Sequence, residues 1–295
     1  MRKQAVNGLL NEDEIISHLN LKKFIDLDEK WQKHIKEMFP FVKDDDCVRA
    51  RKFPDHKSKP DAVIKVRNTV QYLSIKSGRN PSVHQEDFFV FQNYLKSLGI
   101  PRNVLKTIYF YHFGETKVCN NNGKPFTKEE LEEKYGQYFL KASEYLDDSN
   151  IINKIIYRTV IKGANMKRTG LTYLYYGNVE KGFLLSKEDI YSLIFNYREH
   201  KSAIHFGGLN YQPCGRKRTT IDYRYVRIKW PILSPMFYLS EEEVRQVIDG
   251  VKKLWVFYRI PWNSFLIDLT IILFCISICL NLKKEPNQIK ALLNY

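Results

Sequence analysis

Near the start of the chain, apolar residues recur at helical spacing in NEDEIISHLNLKKFI and in DEKWQKHIKEMF, where Trp31, Ile35, Met38 and Phe39 mark one face. Residues 1–45 therefore read as helices. From Cys47 the pattern becomes the alternation of half-buried strands, first CVRARKF and then, after the turn-like PDHKSKP, the runs DAVIKV and VQYLSIK. Arg67, Asn68 and Thr69 alone separate those two runs, which predicts a β-hairpin. SGRNP ends its second strand. Ser82 to Gln85 then has the S-x-x-Q form of a capping box, which predicts a helix to about Ser97 with Phe88, Phe91, Leu95 and Leu98 as its apolar stripe. Glu86 falls in the first turn of that helix, and Gly99 and Pro101 stop it.

Two further helices are predicted at roughly 101–112 and 127–147. Beyond Asn150 short β-rich runs appear (IIYRTVI, LTYLYYG, GFLLS, SAIHFGGL, YRYVRIKWPIL), with helices near KEDIYSLIFNY and SEEEVRQVIDGVKKLW. The expected class is α/β (α+β), a mixed sheet flanked by helices, divided as 1–150, a β-rich part 151–262 and an apolar segment 263–295. Within the last, SFLIDLTIILFCISICLNL (264–282) is long enough to cross a bilayer. Asp268 lies inside it, however, and IILFCISI is β-branched enough for a buried strand. Buried core, membrane anchor and abnormal terminus stay open for this stretch; a membrane partner is not expected.

Charge changes the picture. Lys plus Arg number 47 against 33 Asp plus Glu, a formal +14, which favours a polyanionic partner. Of that excess, +10 lies in 151–262, where 19 basic residues face 9 acidic ones. Lys167 and Arg168, and the run Arg216, Lys217 and Arg218, sit in loop-like stretches suited to phosphate contact. With 44% hydrophobic residues the chain can bury a core, which excludes a rod or wholesale disorder. Five scattered cysteines form no zinc pattern, and the N-terminal residues lack the apolar run of a signal peptide. A cytoplasmic location is expected.

The hairpin carries the candidate chemistry. Asp61 opens its first strand and Lys76 closes its second as Ser74-Ile75-Lys76. Ser74 and Lys76 face one side and Ile75 the other, so Asp61 and Lys76 are expected to meet at the hairpin mouth. Hydrolysis of a phosphodiester needs a hard divalent cation and a cationic group near the attacking water. Asp61 and Glu86 are candidate carboxylate ligands for magnesium, the Ile75 carbonyl a third ligand, and Lys76 the holder of the water.

These residues resemble the PD-(D/E)XK nucleases, with Pro60-Asp61 as the first half of the motif. Serine stands at Ser74 where the family has an acid, which is similar to a subgroup of type II restriction endonucleases that use S-x-K and a glutamate from the following helix, here Glu86. The resemblance spans about 40 residues. It implies a magnesium-dependent endonuclease acting on double-stranded DNA with Asp61, Lys76 and Glu86 as catalytic residues, supported by Ser74 and Gln85. It further implies a homodimer and, for a restriction function, a cognate methyltransferase. An additional acid from the N-terminal helices completes many such sites, and Glu29 and Glu37 are the candidates. The alternative is a non-catalytic nucleic-acid-binding protein whose hairpin only looks like a nuclease.

Overall fold

Asp28 accepts a hydrogen bond from the backbone of Trp31 and thereby starts helix α2 (Glu29–Met38), one of two helices that cover one face of the larger sheet. In the computed structural model, residues 3–79, 81–114, 123, 126–196, 204–213 and 224–258 are described. Helix α1 spans Lys3–Leu19, a short strand β1 Lys22–Lys23, and then come β2 (Cys47–Lys52), β3 (Ala62–Val66) and β4 (Thr69–Lys76). Strand β5 (Ser82–Asp87) and helices α3 (Phe88–Ser97), α4 (Arg102–Phe113), α5 (Lys128–Leu146) and α6 (Ser149–Ile156) follow. A π-helical turn, Tyr157–Lys162, extends α6. The rest is β6 (Tyr173–Gly177), β7 (Gly182–Ser186), α7 (Lys187–Asn196), β8 (His205–Phe206), β9 (Leu209–Pro213), β10 (Tyr225–Lys229), α8 (Leu233–Met236) and α9 (Glu241–Tyr258).

Six strands form the larger sheet in the order β1-β2-β3-β4-β6-β7, antiparallel except where β6 runs parallel to β4. Four more form an antiparallel sheet, β5-β10-β9-β8. Register decides which residues share a face. Val48 pairs with Val66, and Ala50 with Ile64; these side chains are buried together with Trp31, Ile35 and Leu19 under α1 and α2. The opposite face carries Arg49 paired with Lys65, and Arg51 paired with Val63. Further across that face, Leu174 of β6 and Phe183 of β7 are buried in a second cluster built with the smaller sheet and with α3 to α7.

The predicted hairpin is present, closed by Arg67 and Asn68, with Arg67 in the left-handed region at φ 52°. Arg67 Nε donates to Asp46 Oδ1 at 2.8 Å and its Nη2 ion-pairs with Oδ2 at 2.7 Å, which ties down this turn. Two expectations are corrected. Residues 82–87 form a strand, because their backbone pairs with β10; the helix begins one turn later, capped by Asp87, which accepts from the amides of Phe89 and Val90. IIYRTVI is helical: Asp148 caps α6, and Ile152, Ile155 and Ile156 bury one face. Both sheets take strands from either side of residue 150, within the compact unit 1–251. Residues 264–282 lie outside the described residues, among which no helix is long and apolar enough to cross a membrane.

Candidate active site

Strand geometry brings Asp61 and Lys76 together. The backbone of Asp61 continues the sheet pairing on both sides, giving its N–H to the Leu73 carbonyl and accepting from Phe53 N–H. Its side chain then meets the end of β4. Oδ2 accepts from Ser74 Oγ at 2.9 Å, from the Ile75 amide at 2.6 Å and from Lys76 Nζ at 2.9 Å. Lys76 Nζ also donates to the Ile75 carbonyl at 2.9 Å. Ser74 is fully buried, so its hydroxyl orients Asp61, whereas Asp61 and Lys76 both reach solvent.

These groups line a cleft of about 520 Å³ with His56, Lys57, Lys59, His84, Gln85 and Arg168. Close to Asp61 and Lys76 stands a carboxylate the sequence reading passed over. Burial pushes Glu12 up to about 7, the nearby Asp61 carboxylate pushes the same way, and Lys76 opposes them. Glu12 is on α1, three and four residues before the buried Ile15 and Ile16. That helical spacing was the available signal. The two acids expected from this region lie elsewhere: Glu29 pairs with Lys33, and Glu37 with Arg245.

Glu86 is not where a helix would put it. Standing on strand β5, it turns inward and is almost fully buried. Its Oε1 accepts from Arg158 Nε at 3.1 Å, its Oε2 from Arg158 Nη2 at 2.7 Å, and His84 Nε2 lies 2.8 Å from Oε1. Burial raises the Glu86 carboxyl, but the hydrogen bonds from His84 and Arg158 outweigh it and hold the group below the usual range. Neither Glu86 nor Glu12 is among the residues that line the cleft shared by Asp61, Ser74 and Lys76; what separates them is that both Glu86 oxygens are held by Arg158 and His84. Gln85, on the outward face of β5, does line the cleft and accepts from Arg227 of β10 at 3.0 Å.

A second residue missed in the sequence joins the two clusters. Lys59 Nζ donates to the carbonyls of Val83 (2.6 Å) and Thr159, and lies 3.3 Å from His84 Nδ1. Burial drives this ammonium down to about 7, with Lys76 adding repulsion. The acceptor on Thr159 belongs to the π-helical turn, where the widened ladder turns carbonyls outward. Arg168 sits at the cleft rim, donating to the Lys57 carbonyl and facing Asp55, while Lys167 is exposed beside it. Arg216, Lys217 and Arg218 lie outside the described residues.

A set of three or more His, Cys, Asp or Glu side chains able to hold a metal is absent among the described residues. Two hard oxygens stand at the end of β4, the Asp61 carboxylate and the Ile75 carbonyl, and Glu12 is near enough for the charges of Asp61 and Lys76 to act on its carboxyl. Two carboxylates near one another, one of them held toward its neutral form, make a donor set that suits a divalent cation.

No protein-family model matches the chain, and no curated protein sequence matches it significantly. Among solved structures, the restriction endonuclease MspI in complex with its cognate DNA aligns with a TM-score of 0.51, over 75% of this chain and 88% of that one. The fold is restriction-endonuclease-like. At 13% identity the likeness is one of architecture: a mixed sheet with helices on its faces, as the strand order here shows.

Proposed function

We propose that this chain is a metal-dependent DNA endonuclease of the restriction type, working at the cleft lined by Asp61 and Lys76, with Glu12 close to both. The observation that carries the reading is the meeting of Asp61 and Lys76 at the open end of the hairpin, inside a fold shared with a DNA-cleaving enzyme. Asp61, Glu12 and the Ile75 carbonyl would hold magnesium. Glu12 takes the place first expected for Glu86, whose two oxygens are already used. When bound, the cation would polarise the phosphate and favour hydroxide over water.

The chain's own residues set up the rest. An ammonium has three protons, and Lys76 spends two of them on Asp61 and on the Ile75 carbonyl, which leaves one for the attacking water or for a phosphate oxygen. Ser74 and the Ile75 amide hold Asp61 in place, so that Lys76 is positioned before substrate arrives. The water oxygen adds to phosphorus as its proton passes to solvent, the bond from phosphorus to the 3′ oxygen breaks, and that oxygen takes a proton from solvent water, which leaves a 3′-hydroxyl on one fragment and a 5′-phosphate on the other. Cutting both strands calls for two such sites, so the reading includes a homodimer and, for a restriction role, a methyltransferase marking the same sequence. The test is supercoiled plasmid incubated with purified protein and magnesium. Wild type should nick or linearise it, and Lys76→Ala and Asp61→Ala should each lose about 10²-fold or more. Cleavage that survives both changes refutes the reading.

A further inference from the structure

One face of the larger sheet is covered along only half its width. On β6, Leu174 pairs with Ser74 and Tyr176 with Lys76, and both are buried under the second core. On β2, β3 and β4 the same face holds Arg49, Arg51, Lys65, Val70 and Tyr72; Arg49 and Arg51 are exposed and Val70 is 37% accessible. The covered half ends at the cleft. The uncovered half forms a groove of about 660 Å³ floored by Val63 and Tyr72, with Phe53 edge-on to the Tyr72 ring at 5.8 Å.

We propose that this groove is a track for the backbone of the duplex on one side of the cut, with Arg49, Arg51 and Lys65 as its phosphate contacts. The inference rests on the endonuclease reading of the cleft. Charge selects the occupant. None of the residues lining the groove is acidic. Arg49 and Lys65 stand directly opposite one another on neighbouring strands, an arrangement that costs stability without a bound anion. Among the described residues no ion pair involves Arg49, Arg51 or Lys65, although neighbouring cations are paired: Lys52 with Asp13, and Arg67 with Asp46.

Spacing agrees with a nucleic-acid backbone. Tyr72, Ser74 and Lys76 lie on one face of one strand, so the row containing Arg49, Lys65 and Val70 is about 20 Å from Lys76 at roughly 3.3 Å per residue. That is about six nucleotide steps of 3.4 Å. Thr169 lines the groove and its neighbour Arg168 lines the cleft, so the two lie side by side at this point of the chain.

The experiment is equilibrium binding of fluorescent duplexes without divalent cation, over a salt series, for wild type and for the triple variant Arg49→Ala/Arg51→Ala/Lys65→Ala. On a duplex of about 24 base pairs the triple variant should lower the slope of log affinity against log salt by about 2–3, since each phosphate contact contributes ~0.9. On a duplex of about 6 base pairs, too short to fill both cleft and groove, the change should be under ~1. Lys33→Ala, on an exposed helix of the opposite face, is the control and should leave both slopes unchanged. All three positions are at the surface, so unchanged melting of the variant certifies its fold. An unchanged slope on the long duplex overturns the track, and it leaves the cleft reading intact if Lys76→Ala still abolishes plasmid cleavage. A lost slope with no cleavage by any form keeps the track and removes the cleft reading. A variant that alters self-association with DNA binding intact makes the face a protein interface and overturns the proposal.

Discussion

Arg158 grips both carboxylate oxygens of Glu86, through Nε at 3.1 Å and Nη2 at 2.7 Å, with its guanidinium 4.3 Å from the centre of the Tyr94 ring. The pair is buried, and its two parallel hydrogen bonds set the side-chain geometry. Removing one partner strands a buried charge. Arg158→Ala should therefore destabilise the protein by about 3–5 kcal/mol. Glu86→Gln keeps the size and some of the hydrogen bonding, so it should unfold at a midpoint between wild type and Arg158→Ala in urea. It should also leave the magnesium concentration for half-maximal cleavage unchanged; a shift of tenfold would make Glu86 a ligand after all.

Glu12 should report on the cation. Burial and Asp61 raise its carboxyl from 4.5 to about 7. Between those values the native protein binds more protons than the unfolded chain, so this contribution to stability falls as pH rises through the window. A divalent cation offsets the cost. With screening taken into account the effect is on the order of 1 kcal/mol. Magnesium at pH 8 should raise the wild-type melting temperature by about 2–4 °C, and by less than half of that in Glu12→Gln. Equal shifts in both proteins would remove Glu12 from the cation site.

Asp61→Asn and Ser74→Ala separate the roles of the two side chains. In Asp61→Asn the new amide keeps the shape and loses the charge, and plasmid cleavage should drop by about 10²-fold or more with little change in melting. Ser74→Ala removes one of three hydrogen bonds to Asp61 and should cost about 0.5–1.5 kcal/mol of stability with a smaller loss of rate. Rate losses in the reverse order would put the chemistry on Ser74.

His34 gives the protein an acid-labile point away from the cleft. It is buried, edge-on to Trp31 at 5.5 Å and to Tyr175 at 5.6 Å, and neither ring nitrogen finds a hydrogen bond among the described residues. Burial pushes it down to about 3, and the cations Lys30 and Arg245 push the same way. Below pH 6.5 the unfolded chain takes up the proton first, so stability present above that value is lost progressively toward pH 3. His34→Phe keeps the ring contacts and should gain melting temperature at pH 5 relative to pH 8. An identical gain at both pH values would rule out titration as the cause.

Much of this was written in the chain. The hairpin, and the facing of Ser74 and Lys76, follow from strand alternation and a short turn, which are local properties. Glu86 was misplaced because S-x-x-Q is a local signal too, and strand pairing with residues 225–229, far along the chain, outweighed it. Glu12 and Lys59 carry no motif. Packing puts Glu12 near Asp61 and Lys59 in the cleft wall: α1 lies against the sheet, and the π-helical turn closes over the loop before Asp61. The basic groove needed the register, because alternation alone shows that Arg49 and Arg51 share a face but not that Lys65 stands beside them or that the face is bare.

The parallel pairing of β4 with β6 has a consequence for how the protein is made. One edge of the strand carrying Ser74 and Lys76 is closed by β3, a few residues away in sequence; the other must wait for residues 173–176. During synthesis that edge stays open while roughly a hundred further residues emerge, several seconds at ordinary elongation rates. Long-range pairing of this kind forms late in folding. The nascent chain thus carries Asp61 and Lys76 without a finished cleft, which is completed only when the second half of the protein has folded back onto the first.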